Sequence, residues 1–135
     1  MYSTFVTEIQ IRPDDIDMNN HVHNTRYLDY VLAARYDQMQ RCYGMGMDEF
    51  LIRGYTWVNT KATIEYKRQM RLGDTARVNT HIVSMNSKGC SIRFAIHSAA
   101  TGKLCCEGTC DFVMLDTTTG KPATLPHDVI ERYSV

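Results

Sequence analysis

The sequence predicts an α+β domain in which one long helix packs against a sheet of antiparallel strands. Three observations favour this class. Apolar residues recur at helical spacing in one segment of the N-terminal third, and the rest of the chain alternates apolar and polar residues at a period of two. Short turns rich in Gly, Asn and Asp join the alternating segments. Because helix and strands are segregated along the chain, an antiparallel sheet is favoured over a parallel one.

Length and composition are those of one globular domain. The chain has 135 residues, 44% of them hydrophobic and 22% charged, and we treat residues 1–135 as a single domain. Fifteen basic residues balance fifteen acidic ones, so neither nucleic acid nor an anionic membrane is an expected partner. No leader-like N-terminus and no apolar run of membrane-spanning length is visible.

The cysteines indicate a reducing compartment. There are five of them, an odd number, and no secretory signal precedes them, so a disulfide framework is not expected. No CxxC pair is present to suggest a metal site. We therefore expect a cytoplasmic protein with free thiols.

The N-terminal third predicts a strand, a loop and the long helix. Residues 5–11 alternate as in a strand, and residues 13–21 are dense in turn formers. From about residue 27 the apolar positions follow helical spacing as far as Tyr43. Asn24 or Thr25 can cap the helix, and Gly44 and Gly46 can end it.

The remainder predicts four strands. Alternation marks residues 58–66, 76–82, 92–96 and 104–114, separated by turns at Leu72-Gly73-Asp74, at residues 86–89 and at Thr101-Gly102. Within the first of these strands Val58, Thr60, Ala62, Ile64 and Tyr66 are expected to share a face. Pro126 is placed to open a short terminal helix.

Three parts of the chain carry a resemblance to a known family. Residues 15–28 read DIDMNNHVHNTRYL, which resembles the signature D-x-D-x-x-G-H-V-x-N-x-x-Y of the 4-hydroxybenzoyl-CoA thioesterase family. Residues 66–74, YKRQMRLGD, resemble its strand followed by a "GD" turn. Residues 120–122 and Leu125-Pro126 resemble its ending. The pattern covers nearly the whole chain.

The resemblance implies a hotdog fold, in which a five-stranded antiparallel sheet wraps around one central helix. It further implies pairing into dimers, often dimers of dimers, with active sites at the subunit boundary. The implied activity is hydrolysis of acyl-CoA thioesters or, less often, of acyl-carrier-protein thioesters, and Asp17 falls on the family's catalytic carboxylate. Two positions depart from the pattern: Asn20 replaces the motif glycine, and His23 replaces a common asparagine. Asparagine tolerates positive φ, so we expect the turn to survive.

Thioester hydrolysis needs an attack on the carbonyl carbon and stabilisation of the resulting oxyanion. Asp17 can attack directly or activate water. Backbone N–H groups at the start of the helix, at Asn24 and its neighbours, can polarise the thioester oxygen. Asn24 can also orient water, and His21 can act as a base or order the loop. The alternative interpretation of Asp17 is a turn residue like Asp14, and Asp15 is assigned to loop structure.

A basic cluster is a candidate site for the phosphates of CoA. It consists of Lys67, Arg68 and Arg71, with Lys88 and Arg93 as possible neighbours. The competing interpretation is a solvated strand end. CoA enters as part of the substrate, and no cofactor or metal is expected.

An acyl pocket is expected between helix and sheet, lined by some of Tyr27, Tyr30, Val31, Tyr55, Trp57 and Val58.

Two other functional classes stay open beside the thioesterase. One is an acyl-CoA-binding module without turnover, which has no need of Asp17. The other is a metal-dependent hydrolase with His21, His23 and Asp17 as ligands. A hotdog dehydratase is disfavoured because its catalytic groups are arranged differently.

Overall fold

A computed structural model describes residues 2–135 of the chain. Its elements follow in the order β1 (Thr4–Gln10), α1 (Arg26–Arg41), α2 (Met47–Ile52), β2 (Tyr55–Tyr66), β3 (Thr75–Met85), β4 (Gly89–Ser98), β5 (Leu104–Asp116) and α3 (His127–Tyr133). A single turn of 3₁₀ helix at Pro13–Asp15 precedes α1. Helix α3 follows Pro126, as predicted.

The strands form one five-stranded sheet in the order β1-β3-β4-β5-β2. All four neighbouring pairs are antiparallel. The predicted α+β class and the five-stranded antiparallel sheet are therefore confirmed. Strands β1 and β2 form the two edges, and β2 is the longer of them, with 12 residues.

Helix α1 packs on one face of the sheet and buries the main core there. The period of two places Ala76, Val78, Thr80 and Ile82 on that face of β3, and all four are buried. The early apolar face of α1 supplies Tyr27, Tyr30, Val31 and Ala34, each at most 5% exposed. Alternation in the strands and helical spacing in α1 thus meet in one core, as the sequence indicates.

A bulge changes the face assignment along β2. The register against β5 shifts between Asn59 and Lys61, so Thr60 is an extra residue. Trp57 pairs with Met114 and Ile64 pairs with Gly108, both on the helix side, whereas Val58 pairs with Val113 on the outer side. The expectation that Val58 shares a face with Ile64 is wrong, because an uninterrupted period of two cannot reveal an inserted residue.

The helices differ from the prediction in three ways. Helix α1 ends at Arg41, before the glycines, and Gly44 takes φ +72° in the connection that follows. Neither Asn24 nor Thr25 caps the helix through its side chain. Thr25 occupies the N-cap position, but its side chain accepts no capping hydrogen bond. The six-residue helix α2 is absent from the sequence prediction, because so short a segment has barely two turns of periodicity to detect.

The outer face of the sheet is largely polar. Asn79 contacts His97, Ser91 donates to Asp111, and Arg93 lies 3.3 Å from Glu107 across neighbouring strands. The outer face of β3–β5 therefore presents polar and charged side chains that pair with one another. No helix in the described part of the chain combines the length and apolarity needed to cross a membrane.

Candidate active site

The signature loop forms a tight turn in front of α1. Ile16 and Val22 form an antiparallel bridge, and the backbone N–H of Asn20 donates to the Asp17 carbonyl at 3.1 Å. Asn20 takes φ +61°, the only non-glycine residue at positive φ among those described. Its side-chain oxygen accepts a hydrogen bond from the Leu72 N–H at 3.0 Å. Asparagine therefore adopts the conformation that suits the family's glycine and adds a contact that glycine lacks.

The Asp17 carboxylate is fixed by the backbone of its own loop. Oδ1 accepts hydrogen bonds from the N–H of Asn19 at 2.8 Å and of His21 at 3.1 Å. The His21 bond lowers the pKa of Asp17 below its ordinary value of 3.8. Within residues 2–135 Oδ2 has no hydrogen-bond partner. Asp17 thus has the bonds of a turn residue and also keeps one ionised oxygen free.

Asp15, two residues earlier, is a structural residue. It is 5% exposed, and its Oδ2 accepts hydrogen bonds from the Tyr30 hydroxyl at 2.8 Å and from the Arg12 N–H at 2.9 Å. Arg26 lies 3.6 Å from its Oδ1. Burial raises the pKa of Tyr30, and the hydrogen bond to Asp15 raises it further. Asp15 therefore joins the loop to α1, in agreement with its assignment to loop structure.

The start of α1 presents free backbone donors. The N–H groups of Asn24 and Thr25 make no hydrogen bond to any described residue, whereas the flanking N–H groups of His23 and Arg26 are bonded to Asp15 and His23 carbonyls. Asn24 and Thr25 are both exposed. The Tyr66 hydroxyl donates to the Asn24 carbonyl at 3.1 Å. Tyr66 was not predicted at this site, since its position on β2 gives no sign of the contact.

The segment that follows β2 contacts the signature loop. The Val22 N–H donates to the Met70 carbonyl at 2.9 Å, and the Tyr27 hydroxyl accepts from the Met70 N–H at 3.2 Å. This segment carries the predicted basic residues. Lys67 pairs with Glu65 at 2.8 Å and Arg68 donates to the Leu104 carbonyl at 3.0 Å. Arg71 is exposed and makes no side-chain hydrogen bond or ion pair with the described residues.

Lys88 does not belong to this basic cluster within one chain. It lies in the turn between β3 and β4. The backbone N–H of Lys67, in contrast, donates to the Cys105 carbonyl at the other end of the sheet. The ten residues of β4, which span roughly 30 Å at the usual rise of a strand, separate the two ends. Grouping Lys88 with Arg68 is therefore wrong for a single chain, because proximity of strand ends depends on topology.

The two histidines of the loop do not assemble a metal site in the described residues. No group of three His, Cys, Asp or Glu side chains is arranged there to hold an ion. The His21 backbone bonds to Asp17, and His23 is exposed with its N–H on the Asp15 carbonyl. Residues 2–135 therefore place no ligand set at His21, His23 and Asp17.

A cavity of about 270 Å³ lies between the C-terminal half of α1 and the sheet. Its lining is mostly apolar and includes Leu32, Met39, Met85, Phe112, Leu125 and Val129. Leu125 and Val129 come from the C-terminal segment, which the sequence did not connect with a pocket. Cys90 also lines the cavity, and burial raises the pKa of its thiol to about 11.

Of the residues predicted to line an acyl pocket, only Trp57 lines this cavity. Tyr27, Tyr30 and Val31 are buried in the core near the start of α1, and Val58 lies on the outer face. Asn59 reaches the cavity because of the bulge that follows it. Asp17, His21 and Asn24 are not among its lining residues, so the cavity and the loop are separate features of one chain.

The comparisons with known proteins agree with this fold. The sequence model of the thioesterase-like superfamily matches residues 11–133, and the chain belongs to that superfamily. This membership confirms the predicted family and its enzyme class, thioester hydrolase. The long-chain acyl-CoA thioesterase FadM of Escherichia coli is 25% identical over 129 residues, which are 93% of this chain and 94% of FadM.

Solved structures show the same architecture. The 1,4-dihydroxy-2-naphthoyl-CoA thioesterase Slr0204 of Synechocystis superposes with a TM-score of 0.85 at 20% identity, covering 97% of this chain and 96% of that one. The DHNA-CoA thioesterase of Staphylococcus aureus has a TM-score of 0.89 at 22% identity, covering 98% of this chain and 89% of that one. These likenesses confirm the hotdog fold.

Proposed function

We propose that the chain hydrolyses acyl-CoA thioesters, with Asp17 as the carboxylate that starts the reaction. One observation carries the proposal: an ionised carboxylate with a free oxygen stands in the loop that leads to two unpartnered amides, those of Asn24 and Thr25. The acyl-CoA substrate named for FadM supports the choice of CoA thioester. Acyl-carrier-protein thioesters are the second candidate substrate.

Each part of the reaction has a group of this chain to serve it. Oδ2 of Asp17 attacks the thioester carbonyl carbon, or it removes a proton from the water that does so. The amides of Asn24 and Thr25 donate to the oxyanion, aided by the positive end of the α1 dipole. The carbon–sulfur bond then breaks and the CoA thiolate takes up a proton. Where Asp17 itself attacks, this step leaves an acyl–Asp17 anhydride, and water hydrolyses it to release the acid and restore the carboxylate. In this scheme His21 orders the loop through its backbone bond to Asp17.

Arg71 is the best placed of the predicted phosphate ligands. Lys67 and Arg68 already have protein partners, whereas the Arg71 guanidinium is free among the described residues and follows the Met70 contact with the loop. A guanidinium binds phosphate oxygens through paired hydrogen bonds. Lys67 and Arg68 then supply charge nearby, and Lys88 contributes only through another copy of the chain.

A second copy is needed because the loop and the cavity do not meet within one chain. Strand β2 is hydrogen-bonded on one side only, and on its helix side Ala62 and Tyr66 stay exposed. A long unpaired edge strand with exposed side chains on its inner face favours pairing between copies. We therefore place the complete site at a boundary between subunits of a dimer or tetramer.

The free thiols and balanced charge agree with the cytoplasmic location expected from the sequence.

The test is a panel of acyl-CoA substrates followed by release of free thiol, with the molar mass measured by light scattering. Turnover that persists with a chelator, by particles larger than the 15.5 kDa monomer, supports the proposal. CoA binding without thiol release favours the binding module. A stable monomer that turns over acyl-CoA contradicts the shared site, and inhibition by the chelator contradicts hydrolysis without a metal.

A further inference from the structure

The cavity contains one charged side chain, and it is buried. Arg35 is 7% exposed, and among the residues that line the cavity it is the single charged one. Its Nη1 donates to the Thr80 hydroxyl at 3.0 Å and to the Tyr43 hydroxyl at 3.3 Å, and its guanidinium carbon lies 5.1 Å from the centre of the Tyr43 ring. These contacts fix the position of the guanidinium.

The rest of the Arg35 guanidinium has no partner. No carboxylate of residues 2–135 lies within ion-pairing distance of it, and Nε and Nη2 make no hydrogen bond to these residues. Nε and Nη2 keep some accessible surface, so a group in the cavity can reach them, but the residue as a whole is 7% exposed. A cation so largely buried without a counter-charge is costly, because the protein replaces little of its lost hydration. Nε and Nη2 together carry three N–H donors without acceptors, on a guanidinium whose position is fixed by Nη1. Such donors at an apolar cavity indicate that a ligand supplies an anionic group.

Trp57 provides an independent observation on the same cavity. Its indole Nε1 is the only buried side-chain nitrogen or oxygen in the described residues without a hydrogen-bond partner. The ring lines the cavity and packs edge-to-face against Phe50. A buried indole N–H normally has a partner. The cavity thus combines a cation without a counter-charge, whose Nε and Nη2 have no acceptor among the described residues, with a neutral indole N–H that also has none.

We propose that the cavity binds an acyl group with a carboxylate at the end distant from the thioester, and that Arg35 selects it. This inference rests on the proposed function, since it identifies the substrate class of that site. The two carboxylate oxygens accept from Nε and Nη2, the paired geometry that guanidinium favours. The methylene chain contacts the apolar wall, and the neutral Cys90 thiol adds no competing charge. A volume of about 270 Å³, near the lower limit of ligand pockets, suits a medium-length chain.

The kinetic test compares suberyl-CoA with octanoyl-CoA, which have equal chain lengths and differ only in the terminal carboxylate. In Arg35→Met we expect the ratio of kcat/KM for suberyl-CoA to that for octanoyl-CoA to fall about ten- to a hundredfold, the usual loss for a charge-assisted hydrogen bond. Arg35→Lys should keep part of the ratio. The control Arg77→Met, at an exposed position on the outer face of β3, should keep the wild-type ratio. An equal fall for both substrates in Arg35→Met would show a purely structural arginine and overturn the inference.

A binding test separates this inference from the proposed function, because it needs no turnover. Calorimetry compares the monoamide of suberic acid with octanamide on the full chain, where the amide replaces the thioester in both. We expect tighter binding of the monoamide, weakened about tenfold or more in Arg35→Met and severalfold in Trp57→Phe, which keeps an aromatic ring and removes the N–H. Selective binding without hydrolysis would support the cavity and reject the enzyme. Hydrolysis of octanoyl-CoA without any preference for the carboxylate would do the reverse. Should Arg35→Met fail to fold, Trp57→Phe and Arg35→Lys decide.

Discussion

The two halves of α1 face different environments. At its N-terminal end the loop is polar and exposed, and its donors and its carboxylate oxygen are open to solvent. Around its C-terminal half lies an apolar cavity in which Arg35 is buried. Nine residues separate Arg26 from Arg35, about 14 Å at the rise of a helix. In the two proposals above, hydrolysis of the thioester takes place at the first environment and recognition of the acyl chain at the second.

The largest expected effect is at the reactive end. Asp17→Asn keeps an oxygen that can accept from Asn19 and His21, so the loop should persist, but it removes the charge. We expect kcat for acyl-CoA hydrolysis to fall about 100-fold or more, as for loss of a base or nucleophile. The matched control is Asp14→Asn, an exposed loop carboxylate 3.2 Å from Arg12, which should retain activity. Near-normal turnover by Asp17→Asn would make Asp17 a turn residue only.

The next effect tests the join between the loop and α1. Tyr30→Phe removes the hydroxyl that donates to the buried carboxylate of Asp15. The free energy of unfolding should fall by about 1–3 kcal/mol, because a buried acceptor loses a charge-assisted bond. Urea denaturation measures this. Tyr36→Phe, at a site 52% exposed with no hydrogen bond to the described residues, should change stability little. Equal behaviour of both variants would contradict a structural role for the Asp15–Tyr30 bond.

The pH profile distinguishes the two candidate bases of the loop. The backbone bond from His21 lowers the pKa of Asp17 below 3.8, so the carboxylate is ionised at pH 5 and above and becomes protonated only as pH falls through that lowered pKa. We expect kcat/KM to be flat from about pH 5 to 8 and to fall about tenfold per unit below the pKa. Circular dichroism at each pH controls for unfolding. A fall centred well above the pH range of a carboxylate would assign the titrating base to a residue other than Asp17.

The smallest effect concerns the departure from the motif at position 20. Asn20→Gly and Asn20→Ala both lose the bond to the Leu72 N–H, but only alanine retains a Cβ at φ +61°. We expect the alanine variant to be less stable than the glycine variant by about 1 kcal/mol. Thermal or urea unfolding of the pair gives the difference. Equal stabilities would show that the turn relaxes away from positive φ.

Prediction from sequence succeeded where a local pattern determines a local structure. The period of two gave the strands, helical spacing gave α1, and Pro126 marked α3. The loop motif gave the family, whereas the role of Asp17 within that loop stays a prediction. Prediction was wrong where one residue alters the pattern, as at the bulge that turns Val58 outward. It was also wrong where neighbours come from distant strand ends, as with Lys88.

By itself, the sequence determined the fold class, the family and the loop that precedes α1, because these depend on residues that are close along the chain. Only the tertiary structure showed Arg35 and Trp57 at one cavity, 22 positions apart in the chain, each with an N–H that no described residue accepts. It also separated that cavity from Asp17. Burial and pairing depend on which elements pack together. A helical position such as Arg35 looks the same in sequence whether its guanidinium meets a carboxylate, water or an apolar wall.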